Sequence, residues 1–349
     1  QTNGLAQKHN RSERKYFFVL FIVFLSGFLA GLTCYEVYGA SIRTTFPFLT
    51  YTRKYDTLPT GTNMIHDPSE AAVAISLAKQ VRVMCLILTN PSSHSTKAVA
   101  VRDTWASRCN GHVFISSQED RSLPSVVAVN KEGRDQLWSK TIFAIHHAAA
   151  QLHDYDFFLK ADDDTFVIVE NLRELLSHHN PEDPFIMGRR FRPYVKQGYM
   201  SGGGGYVLSR SALNLINQGL LNNTMCAGNK IGGAEDVRLG QCAEAVGVKV
   251  IDSLDRFGLE RFHPFQPKTL ISKKELDRMG WFKEYNYHKL SAGLNCCSDY
   301  AVSFHYLDHE DMYAFYYFVY HLRPYGIYHG CPSTNVVENN NATTTTAIY

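Results

Sequence analysis

Three consecutive carboxylates, Asp162, Asp163 and Asp164, stand at the end of the apolar run Phe157–Leu159, and a second apolar run begins at Phe166. The first run reads as a short buried strand. Charges packed side by side repel one another, so a fold that gathers three of them must supply something positive. A divalent cation answers this: carboxylate oxygens suit Mg²⁺ or Mn²⁺, and open α/β sheets bind ligands at the carboxyl ends of their strands. Residues i and i+2 of an extended segment share a side, so Asp162 and Asp164 can hold one ion while Asp163 points elsewhere. The plainer alternative is a solvated acidic turn in which Asp164 or Thr165 caps the next helix. The hydrophobic strand ahead and the polar groups further along favour the ion.

Around this stretch strands alternate with helical periods. Val81–Leu88, His112–Ser116, Ser125–Val129, Phe185–Met187, Tyr206–Leu208, Val248–Asp252 and Ala301–Tyr306 read as strands, while Ser95–Ser107, the segment leading to Ala150, the stretch through Asn171–Leu176, Ala234–Val246 and Glu310–His321 read as helices. Such alternation predicts an α/β fold with a largely parallel sheet. The 349 residues, 45% of them hydrophobic, are ample for its core, and a net charge of +2 leaves no basic excess for binding nucleic acid.

Tyr16–Tyr35 carries no charge and follows Lys8, Arg11, Arg14 and Lys15. About 20 such residues cross a bilayer, and the positive flank puts the N-terminus in the cytosol. The expected organisation is a cytosolic tail (1–15), a transmembrane signal-anchor (16–35), a stem (36–77), a lumenal domain (78–330) and a disordered low-complexity tail (331–349). A signal peptide cleaved near Ala40 is the rival, although its apolar core would be shorter. Beyond the membrane lie seven cysteines in a compartment that permits disulfides. Neighbourhood favours Cys85 with Cys109 and Cys226 with Cys242. The adjacent Cys296 and Cys297 either bridge each other or pair elsewhere, and Cys331 is the candidate for an intermolecular bond. Asn222 and Asn341 begin N-glycosylation sequons consistent with that side of the membrane.

Other candidates are weaker taken singly. Lys131, Glu132, Gly133 and Arg134, with Lys140 on the following helix, fit a phosphate or nucleotide contact, against a solvated loop as the ordinary alternative. The run Gly188–Leu208 ends in four glycines, Gly202–Gly205, which let backbone approach a ligand, and Tyr199 offers a flat apolar face for a sugar. Glu235 and Asp236 open a helix, where they complement its dipole or serve as a general base. His305, alone on a strand, is more often packed than ligating.

Several segments together resemble the core 1 β1,3-galactosyltransferases (glycoprotein-N-acetylgalactosamine 3-beta-galactosyltransferases), within the β3-glycosyltransferases that include the Fringe enzymes. They are Glu132–Leu137, Lys160–Thr165, Gly188–Gly203, Glu235–Val237, Cys296–Asp299, Ser303–Tyr306 and Val319–Gly326, and the likeness spans roughly Val81–Tyr328. The resemblance implies a GT-A fold with a Rossmann-like, mostly parallel sheet behind a transmembrane helix, in a single-pass type II Golgi membrane protein that can be a homodimer. It implies Mn²⁺ on Asp162, Asp164 and His305, UDP-galactose along Lys131–Arg134, Lys140, Asp162 and Tyr306, and Asp236 or Glu235 as the base. The acceptor implied is N-acetylgalactosamine on Ser or Thr of a glycoprotein, contacted by Tyr199, Trp281 and Tyr285. Gly204 or Gly205 stands where the family often has Ala, and Lys268–Leu294 fits it loosely, so a related acceptor or another donor stays open. So does a non-catalytic lumenal chaperone of the same family, although those relatives lack the intact acidic motif. A metal-dependent phosphoesterase is disfavoured, because no second His and Asp cluster accompanies Asp162–Asp164.

Overall fold

The computed structural model describes residues 68–324, apart from 223–225, 227 and 229. The expected anchor, the cytosolic tail, most of the stem, Cys331, the Asn341 sequon and the C-terminal tail lie outside the described residues. No helix among the described residues is long and apolar enough to cross a membrane.

Helix α1 (Pro68–Gln80) runs across the expected boundary between stem and domain and leads to strand β1 (Val83–Leu88). The helix expected over Ser95–Ser107 is broken into a π-helical turn at His94–Ala98, α2 (Val99–Asp103) and a 3-10 turn at Ala106–Arg108. At Thr104 the backbone leaves the helix, with φ −111° and ψ −101°: its N–H turns to the Val101 carbonyl at 3.4 Å while its hydroxyl covers the Ala100 carbonyl at 2.6 Å. Then come β2 (Gly111–Ser116), β3 (Ser125–Val127), α3 (Leu137–Ala149), β4 (Phe157–Asp162), β5 (Phe166–Val167), α4 (Val169–Leu176) and β6 (Phe185–Gly188). A small hairpin, β7 (Arg190–Phe191) with β8 (Tyr199–Met200), precedes β9 (Tyr206–Ser209) and α5 (Arg210–Leu221). The described residues continue through α6 (Glu235–Ala245), β10 (Lys249–Ile251), β11 (Phe262–His263), α7 (Pro267–Ile271), α8 (Lys273–Arg278), α9 (Gly280–Tyr285), β12 (Ser303–Phe304) and α10 (His309–Tyr320).

The main sheet has seven strands in the order β10-β6-β9-β4-β1-β2-β3. It is mixed: β9 runs antiparallel to both neighbours, and the other four pairings are parallel. Alternation along the buried β1 sends Val83, Cys85 and Ile87 into one core with Trp105 and Leu159, and Met84, Leu86 and Leu88 into a second with Trp138 and Phe158. Helix α5, not foreseen in the sequence, packs on the second core through Ala212, Leu213, Ile216 and Leu220. Its start signal was present, since the Ser209 hydroxyl accepts the Ala212 N–H as an N-cap. Disulfides join Cys85 to Cys109, Cys226 to Cys242 and Cys296 to Cys297.

A second sheet, β11-β12-β5, does the positioning that matters for function. The antiparallel register of β12 on β5 sets Phe304 opposite Phe166. His305, one residue after β12, therefore arrives beside the acidic residues that precede β5. The Leu307 N–H donates to the Asp164 carbonyl at 3.0 Å and closes the junction.

Asp156, at the entry to β4, ties the sheet's rim together by accepting from the Arg82 N–H and guanidinium and from Arg210. Burial opposes its ionisation, but the Arg82 hydrogen bonds and the Arg210 charge outweigh this and hold the carboxyl below its usual range. Asp156→Asn should cost about 1–3 kcal/mol at neutral pH. A depressed pKa contributes stability above the unfolded-state value that is lost on acidification, so the gap between wild type and variant should close below about pH 4 in thermal unfolding.

Candidate active site

The carboxyl ends of β1 and β4 open into a cleft of about 820 Å³, bounded by the glycine run, the start of α6, Pro264–Phe265, α9 and His305–Tyr306. Asp162, Asp164 and His305 converge there, with one ligand atom from each lying within 4.8 Å of the others. His305 Nε2 is 3.0 Å from Asp164 Oδ1. Its Nδ1 faces the Pro264 carbonyl at 3.3 Å. A carbonyl only accepts, so Nδ1 donates to Pro264 and fixes the ring, and Nε2 is the nitrogen turned to Asp164 and the cleft, where it would ligate an ion standing between them. Two carboxylates and an oriented imidazole make a donor set that fits Mn²⁺. Asp163, in the turn that follows β4, is directed elsewhere: it is buried, accepts from the Thr89 hydroxyl at 2.7 Å, and burial raises its pKa to about 6. The helix-capping alternative is not realised, because α4 starts only at Val169 with Ile168 as its N-cap.

Positive side chains compensate this acidity. Lys160 donates to Asp162 Oδ1 at 2.6 Å, and Lys97, on the π-helical turn, reaches Asp164 Oδ2 at 3.2 Å. For Asp164 burial works against ionisation, but His305 and Lys97 prevail and hold it at about 2. Neither lysine was singled out in the sequence. The i, i+2 spacing of Lys160 and Asp162 was the available signal for one, and nothing local marks Lys97.

Glu235 and Asp236 separate into different environments. Glu235 is buried, its Oε1 accepting from the Tyr206 hydroxyl at 2.7 Å and the Thr141 hydroxyl at 2.9 Å. Asp236 lines the cleft, and among the described residues its hydrogen bonds come from the main chain, the Val237 N–H at 2.9 Å and the Gly202 N–H at 3.4 Å. Burial raises the pKa of both.

The glycine run is a wall of the cleft. The Thr165 hydroxyl holds the Gly203 carbonyl at 2.9 Å and the Ser303 hydroxyl holds that of Gly204 at 2.5 Å, while Gly205 turns with φ +74°. A Cβ on Gly203 would lie 2.2 Å from His305 Cε1, whereas one on Gly204 would meet nothing closer than 3.6 Å. The position with room for an alanine is thus Gly204. Gly203→Ala should displace the imidazole and cut activity at least about 10²-fold, as ångström-scale misplacement does, while Gly204→Ala should stay within about threefold of wild type. Turnover of the two variants beside their thermal midpoints tests the contrast.

Among the expected nucleotide contacts, Glu132, Gly133, Arg134 and Lys140 line the cleft but Lys131 does not. The Lys131 side chain is 73% exposed and faces Asp135 at 3.8 Å, where solvent and a nearby carboxylate satisfy it. The Lys140 ammonium is buried, donating to Glu132 and, at 2.6 Å, to the Thr89 carbonyl. It braces the loop against β1, which leaves Arg134 as the lining cation with no ion pair among the described residues.

Aromatic rings form the opposite rim. Phe191 meets Tyr199, Trp281 and Tyr285 edge to face, and the Tyr285 and Tyr194 hydroxyls are 2.7 Å apart. Tyr199 is only 3% exposed, so of the three expected acceptor contacts it is a buried wall while Trp281 and Tyr285 reach the opening. Tyr306 packs on His305 with ring centroids 4.0 Å apart and keeps a left-handed φ of +63°, a costly conformation for a bulky side chain.

The Fringe-like family profile matches residues 79–312. A glycoprotein-N-acetylgalactosamine 3-beta-galactosyltransferase 1 of Xenopus laevis is 43% identical over 268 residues, 76% of this chain and 74% of that protein. A beta-1,3-glucosyltransferase of Mus musculus is 27% identical over 180 residues, 50% of this chain and 36% of that one. A chondroitin sulfate glucuronyltransferase of Homo sapiens is 30% identical over 190 residues, 52% of this chain and 23% of that one.

Proposed function

As this chain belongs to the Fringe-like family of glycosyltransferases, we propose that it transfers galactose from UDP-galactose to the 3-hydroxyl of N-acetylgalactosamine linked to Ser or Thr of a glycoprotein. The acceptor and linkage follow the name of the 43%-identical Xenopus laevis relative. The observation that carries the reading is the meeting of Asp162, Asp164 and His305 with Asp236 in one cleft.

Asp162, Asp164 and His305 would hold Mn²⁺, which supplies positive charge for the departing diphosphate. Asp236, with a carboxylate oxygen facing the cleft and no cation bonded to it, takes the proton from the acceptor 3-hydroxyl. That oxygen bonds to the anomeric carbon as the bond to UDP breaks on the opposite face, so the configuration inverts. Arg134 lies on the diphosphate side, and Trp281 and Tyr285 offer flat apolar faces to the acceptor sugar. Glu235, its Oε1 occupied by two hydroxyls, is a positioning residue. The proposed setting is the Golgi lumen, with the uncharged run Tyr16–Tyr35 as the anchor of a type II protein and the disulfides in keeping with an oxidising compartment.

The test is UDP release by the purified protein given UDP-galactose, Mn²⁺ and a peptide bearing N-acetylgalactosamine. Release that needs both peptide and metal, stops with EDTA and yields a β1,3-linked product by NMR is expected. A folded protein that releases no UDP under these conditions would overturn the assignment.

A further inference from the structure

Between the metal-type triad and the start of α6 lies a buried charge cluster that the transfer step does not use. Lys160 Nζ is 2.6 Å from Asp162 Oδ1, 3.2 Å from the Gly202 carbonyl oxygen and 3.9 Å from Glu235 Oε2. The residue is only 5% exposed. An ammonium withdrawn this far from water requires negative partners. Lys160 has two at unequal distances, a near carboxylate that belongs to the triad and a farther one that does not.

The farther carboxylate is prepared to receive it. Glu235 Oε1 accepts from Tyr206 and Thr141, which fixes the side chain, while Oε2 faces Lys160 just beyond hydrogen-bond distance. The gap between them is kept open by a glycine, since a Cβ on Gly202 would sit 2.9 Å from Glu235 Oε2 and 3.7 Å from Lys160 Nζ. A shift of roughly 1 Å would bring the ammonium into full hydrogen-bond contact with Oε2. That is a small adjustment for a flexible four-carbon stem.

We propose that Lys160 is a placeholder cation: its ammonium holds Asp162 Oδ1 while the site lacks a metal ion, and passes to Glu235 Oε2 when a divalent ion takes that oxygen. The proposal rests on Asp162, Asp164 and His305 being a metal site. Two cations against one carboxylate oxygen repel strongly, so an ion that takes Asp162 Oδ1 displaces the ammonium, and Glu235 Oε2 gives it somewhere buried to go. Lys97 needs no such relay, because it is one-third exposed and can swing from Asp164 into solvent. The move also brings positive charge beside the residue that precedes Asp236, which links metal loading to the surroundings of the base.

The experiment is titration of Mn²⁺ into the purified full chain without nucleotide, followed by loss of the free-ion EPR signal, with thermal unfolding as a check on folding. Lys160→Met removes the competing charge and should tighten Mn²⁺ binding at least about tenfold. Glu235→Gln keeps an oxygen for the Tyr206 and Thr141 hydroxyls but takes away the landing carboxylate, and should weaken Mn²⁺ binding by about fivefold. Unchanged or weaker binding in Lys160→Met would overturn the placeholder, for it would mean that Lys160 only orients Asp162. Should that variant fail to fold, unchanged or tighter binding in Glu235→Gln overturns it instead. Asp164→Ala separates the two levels: equal Mn²⁺ binding with and without Asp164 removes the metal site itself, whereas Asp164-dependent binding indifferent to Lys160 removes only the placeholder.

Discussion

Replacing Asp164 with alanine is expected to lower galactose transfer at least about 10³-fold while leaving a folded protein. Asp164 presents one oxygen to His305 and the other to Lys97, so its loss removes a ligand from the triad and leaves the other two without the group that aligns them. Folding should persist at some cost. A carboxyl held at about 2 contributes stability at neutral pH, so its loss should cost about 1–3 kcal/mol, several degrees in thermal midpoint, part of it offset by relief of the repulsion from Asp162 and Asp163. UDP release across a Mn²⁺ series, with unfolding followed in parallel, measures both. Wild-type turnover in Asp164→Ala would exclude the triad from catalysis.

Asp236→Asn is expected to reduce kcat by about 10²–10⁴-fold with little change in the KM for UDP-galactose, because asparagine fills the same space but cannot take the acceptor proton. The pH profile gives an independent signature. Burial raises the Asp236 pKa, so the wild-type rate should fall on the acid side along a limb set above the ordinary aspartate range, and that limb should vanish in the variant. The stability effect has the opposite sign. A carboxyl whose folded pKa lies above its unfolded value favours folding when protonated and loses that contribution as pH rises through the folded pKa. Asp236→Asn should therefore be as stable as wild type at neutral pH, or slightly more so. An unaltered kcat would move the base to another residue.

Local patterns carried much of this into view. The apolar run before Asp162 meant a strand, which β4 is, and the i, i+2 spacing of Asp162 and Asp164 meant a shared side, which they have through the turn that closes from the Thr165 N–H to the Asp162 carbonyl, with Asp163 bonded to Thr89. Cysteines close in sequence paired as neighbourhood favoured. The misses have physical causes. The helix turned at Thr104, a departure that periodicity does not register, and the short helices α7 and α8 lie in a stretch without a clear period, with α9 in an aromatic-dense one. The glycine with flanking basic residues before a helix, and the family resemblance, pointed to Lys131 and Lys140 along the nucleotide; Lys131 turns to solvent, while Lys140 lines the cleft with its ammonium engaged by Glu132 and the Thr89 carbonyl.

What the sequence determined by itself is therefore the chemistry on offer: a strand that ends in carboxylates, glycines where backbone must come close, a helix that opens with two acids, and an uncharged run long enough for a membrane. Those features depend on residues within one or two turns of each other, where the backbone's own period places the side chains. Tertiary structure decided which of these groups act together. His305 becomes a partner of Asp164 only through the pairing of β12 with β5, across about 140 residues of chain. Glu235 and Asp236, adjacent in sequence, divide into a buried anchor and a cleft-facing carboxylate because Tyr206 and Thr141 reach one and not the other. Lys160 was visible as a charge next to the motif, but its poise between Asp162 and Glu235 exists only once β4, the glycine run and α6 have packed together.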